Sequence, residues 1–131
     1  MIAVDANVLV RIVINDDPDQ VAASLRVLHG GDSILLLNSV LQEVVWVLES
    51  KYQIPREEVA DVVEAILLMP PVVPETAHTP ETVAWYRNGM DFADAVHLAG
   101  AASRCEKLAT FDASFIRKAK GRATCQVFKP V

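Results

Sequence analysis

Cysteine is scarce in this chain: Cys105 and Cys125 are the only two in 131 residues, and they form no C-x-x-C pair. That excludes a thiolate zinc site and a disulfide framework, and the expected compartment is a reducing one, the cytoplasm. No segment approaches the roughly 18 apolar residues of a membrane span. The apolar start MIAVDANVLVRIVI is broken by Asp5, Asn7 and Arg11, and no small-residue cleavage site follows. It is expected to be folded structure rather than a secretory signal. Internal repeats and low-complexity tracts are absent as well. Acid is missing from one region: residues 113–131 carry Arg117, Lys118, Lys120, Arg122 and Lys129 and no Asp or Glu.

What is there is an ordinary globular composition, with 52% hydrophobic and 22% charged residues. A chain of this length is expected to form one domain, residues 1–131, with a sizeable core. The net charge of −5 is unevenly spread: residues 1–112 hold all 17 acids and seven bases, a balance of −10. An overall negative charge argues against a nucleic-acid partner, but an acidic body with a basic tail does not.

Along the chain, IAVD is a short apolar run ending in an acid, as a buried strand would be. NVLVRIVIN follows, then DPDQVAASLRVLHGG, a helix pattern with Pro18 near its start and Gly30 at its end. SILLL is a second strand. NSVLQEVVWVLESKY has Ser39 and Gln42 at capping-box spacing. Pro55 opens a helix that is apolar at Val59, Val62, Val63, Ile66 and Leu67. PPVV, KLATF and CQVFKPV are further strands, and PETVAWYRN, DFADAVHLAGAASR and DASFIRKAK further helices. Strands alternating with helices imply a parallel sheet covered on both faces. Sites in such sheets form at the carboxyl ends of the strands.

Four acids fall where that rule points. Asp5 ends the first strand, Glu43 lies early in the helix after the second, Asp94 is in the first turn of DFADAVHLAGAASR, and Asp112 follows KLATF. Each has a structural alternative. Asp91 is a good N-cap with Asp94 at N3, and Asp112 can cap the helix after it. Taken together, four carboxylates at one sheet edge would repel one another and resist ionisation. A hard divalent cation such as Mg²⁺ would relieve that and could activate water toward a phosphodiester. The basic tail, Arg117, Lys118, Lys120 and Arg122, would then contact the nucleic-acid backbone.

The segments VDANVL around Asp5, the mid-helix Glu43, DFADA with Asp94 and ATFDASF with Asp112 resemble those of PIN domains. The specific likeness is to VapC-type ribonuclease toxins of toxin–antitoxin modules, and it covers essentially the whole chain. The resemblance implies an α/β fold, a three-layer α/β/α sandwich around a central, mainly parallel sheet of four to five strands. It implies cleavage of RNA with Mg²⁺ or Mn²⁺ held by Asp5, Glu43, Asp94 and Asp112, with Asp91 as an accessory acid. Asn7 and Thr110 match polar positions that orient the acids. A homodimer and a cognate VapB-type antitoxin are also implied. Many relatives read DTN where this chain reads DAN, so Ala6 lacks a hydroxyl that could support the neighbouring acid.

Other classes fit less well. A PIN fold without activity would serve only as a binding partner. A phosphoacceptor receiver domain resembles the FKPV end, but it needs paired acids after the first strand and an Asp after the third, and PPVVPE has none. A haloacid-dehalogenase-like phosphatase needs a second Asp where Asn7 stands. His29, His78 and His97 are too scattered for a metal site, and His97, one turn beyond Asp94, is expected to be a core histidine. Trp46 and Trp85 are expected in the core or a subunit interface rather than as base-stacking platforms.

Overall fold

The computed structural model describes residues 1–131. The chain forms two compact units, Met1–Glu75 and Thr76–Val131.

In the first unit, β1 (Ile2–Ala3), β2 (Ile34–Leu36) and β3 (Val72–Pro74) form a parallel sheet in that order, with Ile2 opposite Ile34 and Ile34 opposite Val72. Parallel neighbours need crossover connections. Helices α1 (Ala6–Ile14) and α2 (Pro18–Leu28) lie between β1 and β2, and α3 (Asn38–Ser50) and α4 (Arg56–Leu67) between β2 and β3. Ile34 and Leu36 are buried and Leu35 half-buried, the pattern of a strand covered on both faces. Helix α3 buries Leu41, Val44, Val45 and Leu48, and α4 buries Val59, Ala60, Val63 and Ile66. Both stripes have the spacing of an amphipathic helix. NVLVRIVI is helical, and Asn15 closes α1 in the left-handed region at φ 54°.

In the second unit, a 3₁₀ turn (Thr79–Glu81) leads into α5 (Thr82–Arg87), α6 (Phe92–Ala102), β4 (Lys107–Ala109), α7 (Ala113–Ala119) and β5 (Gln126–Phe128). Strands β4 and β5 pair in parallel, Lys107 opposite Gln126. Their core gathers Trp85, Met90, Leu98 and Phe115, with Leu108 and Val127 packed against it. Tyr86 meets Phe92 edge-on, with ring centres 5.3 Å apart, a favoured aromatic geometry. The five expected strands are all present, paired in parallel within each unit, as a set of three and a set of two.

One local expectation is corrected. The Ser39–Gln42 capping box does not form: Leu37 occupies the N-cap of α3 with no side-chain bond. A carboxylate distant in sequence serves instead, for Glu75 Oε2 accepts from the Asn38 N–H at 2.8 Å. Glu75 is fixed in turn by its own N–H, which donates to the Leu36 carbonyl at 3.1 Å. A negative charge here satisfies an orphan donor and faces the positive end of the helix dipole. The two tryptophans differ in burial. Trp85 is buried, but Trp46 is 66% exposed and belongs to no core.

Candidate active site

Asp5, Asp91 and Asp112 share one local design. Each stands immediately before a helix and turns a single carboxylate oxygen back onto the first backbone N–H groups. Asp5 Oδ1 accepts from Ala6 at 2.7 Å. Asp91 Oδ1 accepts from Ala93 at 2.8 Å and Asp94 at 3.4 Å. Asp112 Oδ1 accepts from Ser114 at 2.9 Å and Phe115 at 3.1 Å. Orphan N–H groups at the helix start hold each acid in place. The second oxygen of each is left free for another ligand.

In the second unit, Asp91 and Asp112 lie near enough to Asp94 for their charges to reach it. Asp94 is half-buried at N3 of α6, and its carboxyl titrates above the ordinary 3.8: burial is the first cause, the charges of Asp91 and Asp112 the next, and His97 opposes them. His97 is therefore no core histidine; it is exposed, with its charge felt at Asp94. None of the three acids is in an ion pair; ion pairs form elsewhere, as between Arg11 and Asp16 at 2.6 Å and between His78 and Glu81 at 2.9 Å. Thr110 shapes the turn at Asp112, its Oγ1 accepting from the Asp112 N–H at 3.1 Å.

In the first unit, Asn7 and Glu43 face the same cleft between α1 and α3, of about 180 Å³, with Arg11, Lys51 and Tyr52 also on its wall. Glu43 is exposed. The cations of this cleft are engaged: Arg11 with Asp16, and Lys51 with the Tyr52 ring, 5.5 Å from its centre.

The family model described as PIN domain matches residues 2–121. This chain belongs to the PIN domain family. No curated protein sequence matches it. Membership agrees with the α/β architecture of parallel strands and helices described above, consistent with the α/β/α class expected, and PIN domains are nucleases.

Nowhere in this PIN domain do three or more His, Cys, Asp or Glu side chains group as a ready metal cage. The carboxylates around Asp94 are close enough for their charges to act on one another without being drawn into a single cage. Anionic oxygens with no basic partner still suit a hard divalent cation, which completes its shell with water. The basic tail is not uniform. Lys118 is half-buried, and its Nζ donates to the Gly89 carbonyl at 2.6 Å, fastening the turn before Asp91 to α7. Gly89 holds φ +100°, and a Cβ there would meet that Nζ at 3.2 Å. Arg117 reaches only Ser114, at 3.4 Å, while Lys120 and Arg122 are exposed. Sequence reasoning missed the structural contacts of Glu75 and Lys118, since neither has a partner nearby in sequence.

Proposed function

We propose that this PIN domain is an endoribonuclease that hydrolyses RNA phosphodiester bonds with Mg²⁺ or Mn²⁺, as the toxin of a VapBC-type module. One observation carries the reading: Asp94 is crowded by Asp91 and Asp112 while no Lys or Arg neutralises any of the three. Asp94 accepts no helix-start bond of its own, so capping alone does not account for its crowding.

Asp5, Glu43, Asp94 and Asp112 are the proposed metal ligands, with Asp91, Asn7 and Thr110 in support. When bound, the divalent ion supplies Lewis acidity toward the phosphate and lowers the pKa of water. The chain's own residues do the holding. The helix starts fix one oxygen of Asp5 and of Asp112 and leave the other available. Thr110 sets the turn that aims Asp112. Lys120 and Arg122, which are exposed, are the residues to meet RNA phosphates. A homodimer, a cognate antitoxin that silences the site and a cytoplasmic setting complete the proposal.

The test is cleavage of defined RNAs by the full chain with Mg²⁺, with Mn²⁺ and with chelator, alongside Asp94→Asn. Cleavage that requires metal and disappears in the variant supports the reading. Cleavage that ignores both changes would overturn it, and an inert wild-type protein would leave a PIN fold that acts by binding alone.

A further inference from the structure

Cys105 and Cys125 are both free thiols, one exposed and one buried, and no step proposed above uses either. The second unit brings them together. Cys105 follows α6, its N–H donating to the Ala101 carbonyl at 2.6 Å. Ala101 and Ala102 pack against the core cluster that contains Cys125. Across the sheet, Lys107 stands opposite Gln126, and the Gln126 N–H donates to the Glu106 carbonyl at 2.8 Å. Cys125 is therefore level with Glu106, one position from Cys105. An offset of one residue between paired strands separates Cα atoms by about 6 Å, from a strand spacing of about 4.8 Å and a rise of about 3.3 Å. Disulfides span roughly 4.4–6.8 Å between Cα atoms. Glu106 bends the chain, so Cys105 is released from the alternation that sends adjacent strand side chains to opposite faces. Burial pushes the Cys125 thiol up, and the charge of Cys105 pushes it further, so the two groups act on each other. A cavity of about 390 Å³, with Cys125, Ile116, Ala119 and Thr124 on its wall, gives the buried side chain room to turn.

We propose that Cys105 and Cys125 form a modification site, a dithiol that a small-molecule disulfide of the glutathione type converts reversibly into one intramolecular bond. Cys105, the exposed thiol, reacts first. Its thiolate attacks one sulfur of the small disulfide. The S–S bond breaks, a mixed disulfide forms on Cys105, and one small thiol leaves with the proton that Cys105 gave up. Cys125 then loses its proton as its sulfur attacks the Cys105 sulfur, and the second small thiol leaves with that proton. Two protein thiols are oxidised, and one disulfide is reduced to two thiols. A permanent disulfide is not expected in a reducing compartment, whereas a transient one is the form that occurs there. The bond closes a loop carrying β4, Asp112 and α7, and closing a loop stabilises mainly by restricting the unfolded chain. None of this depends on nuclease activity.

The experiment incubates the full chain, fully reduced, with glutathione disulfide at neutral pH, with and without urea. Remaining thiols are then blocked by alkylation and the peptides mapped by mass spectrometry. The expected product of the folded chain is a monomer with no alkylated cysteine and a cross-linked Cys105–Cys125 peptide, formed faster than in urea. Its melting temperature should lie several degrees above that of the reduced chain and return to the starting value in dithiothreitol. Cys125→Ala, which keeps a small apolar group in the core, should stop at a mixed disulfide on Cys105. Cys105→Ser should leave Cys125 unmodified in the folded chain. A wild-type chain that stops at the mixed disulfide, or that links two copies through Cys105, overturns the proposal. A Cys105–Cys125 bond that forms only in urea also overturns it, because the fold would then be holding the thiols apart.

Discussion

Asp94→Asn separates an acid kept for function from one kept for the fold. The Asp94 carboxyl titrates above 3.8 in the folded protein because burial, and then Asp91 and Asp112, disfavour its charge. A raised acid holds its proton more tightly folded than unfolded. Stability is therefore lost as pH rises from the unfolded value of 3.8 to the raised folded one, and the penalty is complete above that window. At neutral pH the neutral amide removes the penalty. One pKa unit corresponds to about 1.4 kcal/mol, but solvent screens a side chain this exposed, and the gain should stay below about 1 kcal/mol. For a chain of this size that is a rise in melting temperature of no more than about 4 °C. The assay is thermal unfolding by circular dichroism in chelator at pH 7, repeated toward pH 4, where the gap between variant and wild type should close. Adding Mg²⁺ at about a hundred times its Kd should then stabilise wild type by about 2.7 kcal/mol and the variant much less. If Asp94→Asn melts below wild type in chelator at both pH values, the carboxylate is holding the fold together and the crowding argument is wrong.

Three further outcomes are expected. Glu75→Ala should cost about 1 kcal/mol by removing the cap of α3, seen as a lower urea midpoint, while Glu75→Gln keeps an acceptor and costs less. Asp112→Ala loses the bonds to Ser114 and Phe115 and should destabilise by about 1 kcal/mol; Asp112→Asn should keep the fold, and both should lose cleavage in a gel assay. Neutralising Lys120 and Arg122 together should reduce the slope of log affinity against log salt by about 1.4 for single-stranded RNA, whereas Lys118→Met should lower the melting temperature and leave that slope unchanged.

Element order and the helix starts were legible because their causes are local. Asp91 and Asp112 each precede a helix by one position, and the bonds they accept span two or three residues. The buried stripes of α3 and α4 follow from spacing alone. The capping box failed because a local pattern was outcompeted by Glu75, 37 residues away from Asn38 in sequence. Lys118 resembled its basic neighbours until the fold set it against the Gly89 carbonyl. Trp46 lies among Val44, Val45, Val47 and Leu48 in sequence, yet its angular position opposes the buried stripe, and a finer reading of the helical period would have placed it outside. The mutual influence of Asp94 and Asp91 could be read from their spacing, but that of Asp94 and Asp112 required the fold.

The double duty of the helix-start acids bears on how such a protein would decay. A copy released from selection for cleavage would still be selected to keep Asp5, Asp91 and Asp112, because losing any of them frays a helix. Asp94 caps nothing and sits under repulsion; Glu43 is exposed in the second turn of α3. Those two positions would drift first. In a descendant of this chain, three surviving aspartates would testify only to a fold, and Asp94 with Glu43 would be the positions to inspect before calling it a nuclease.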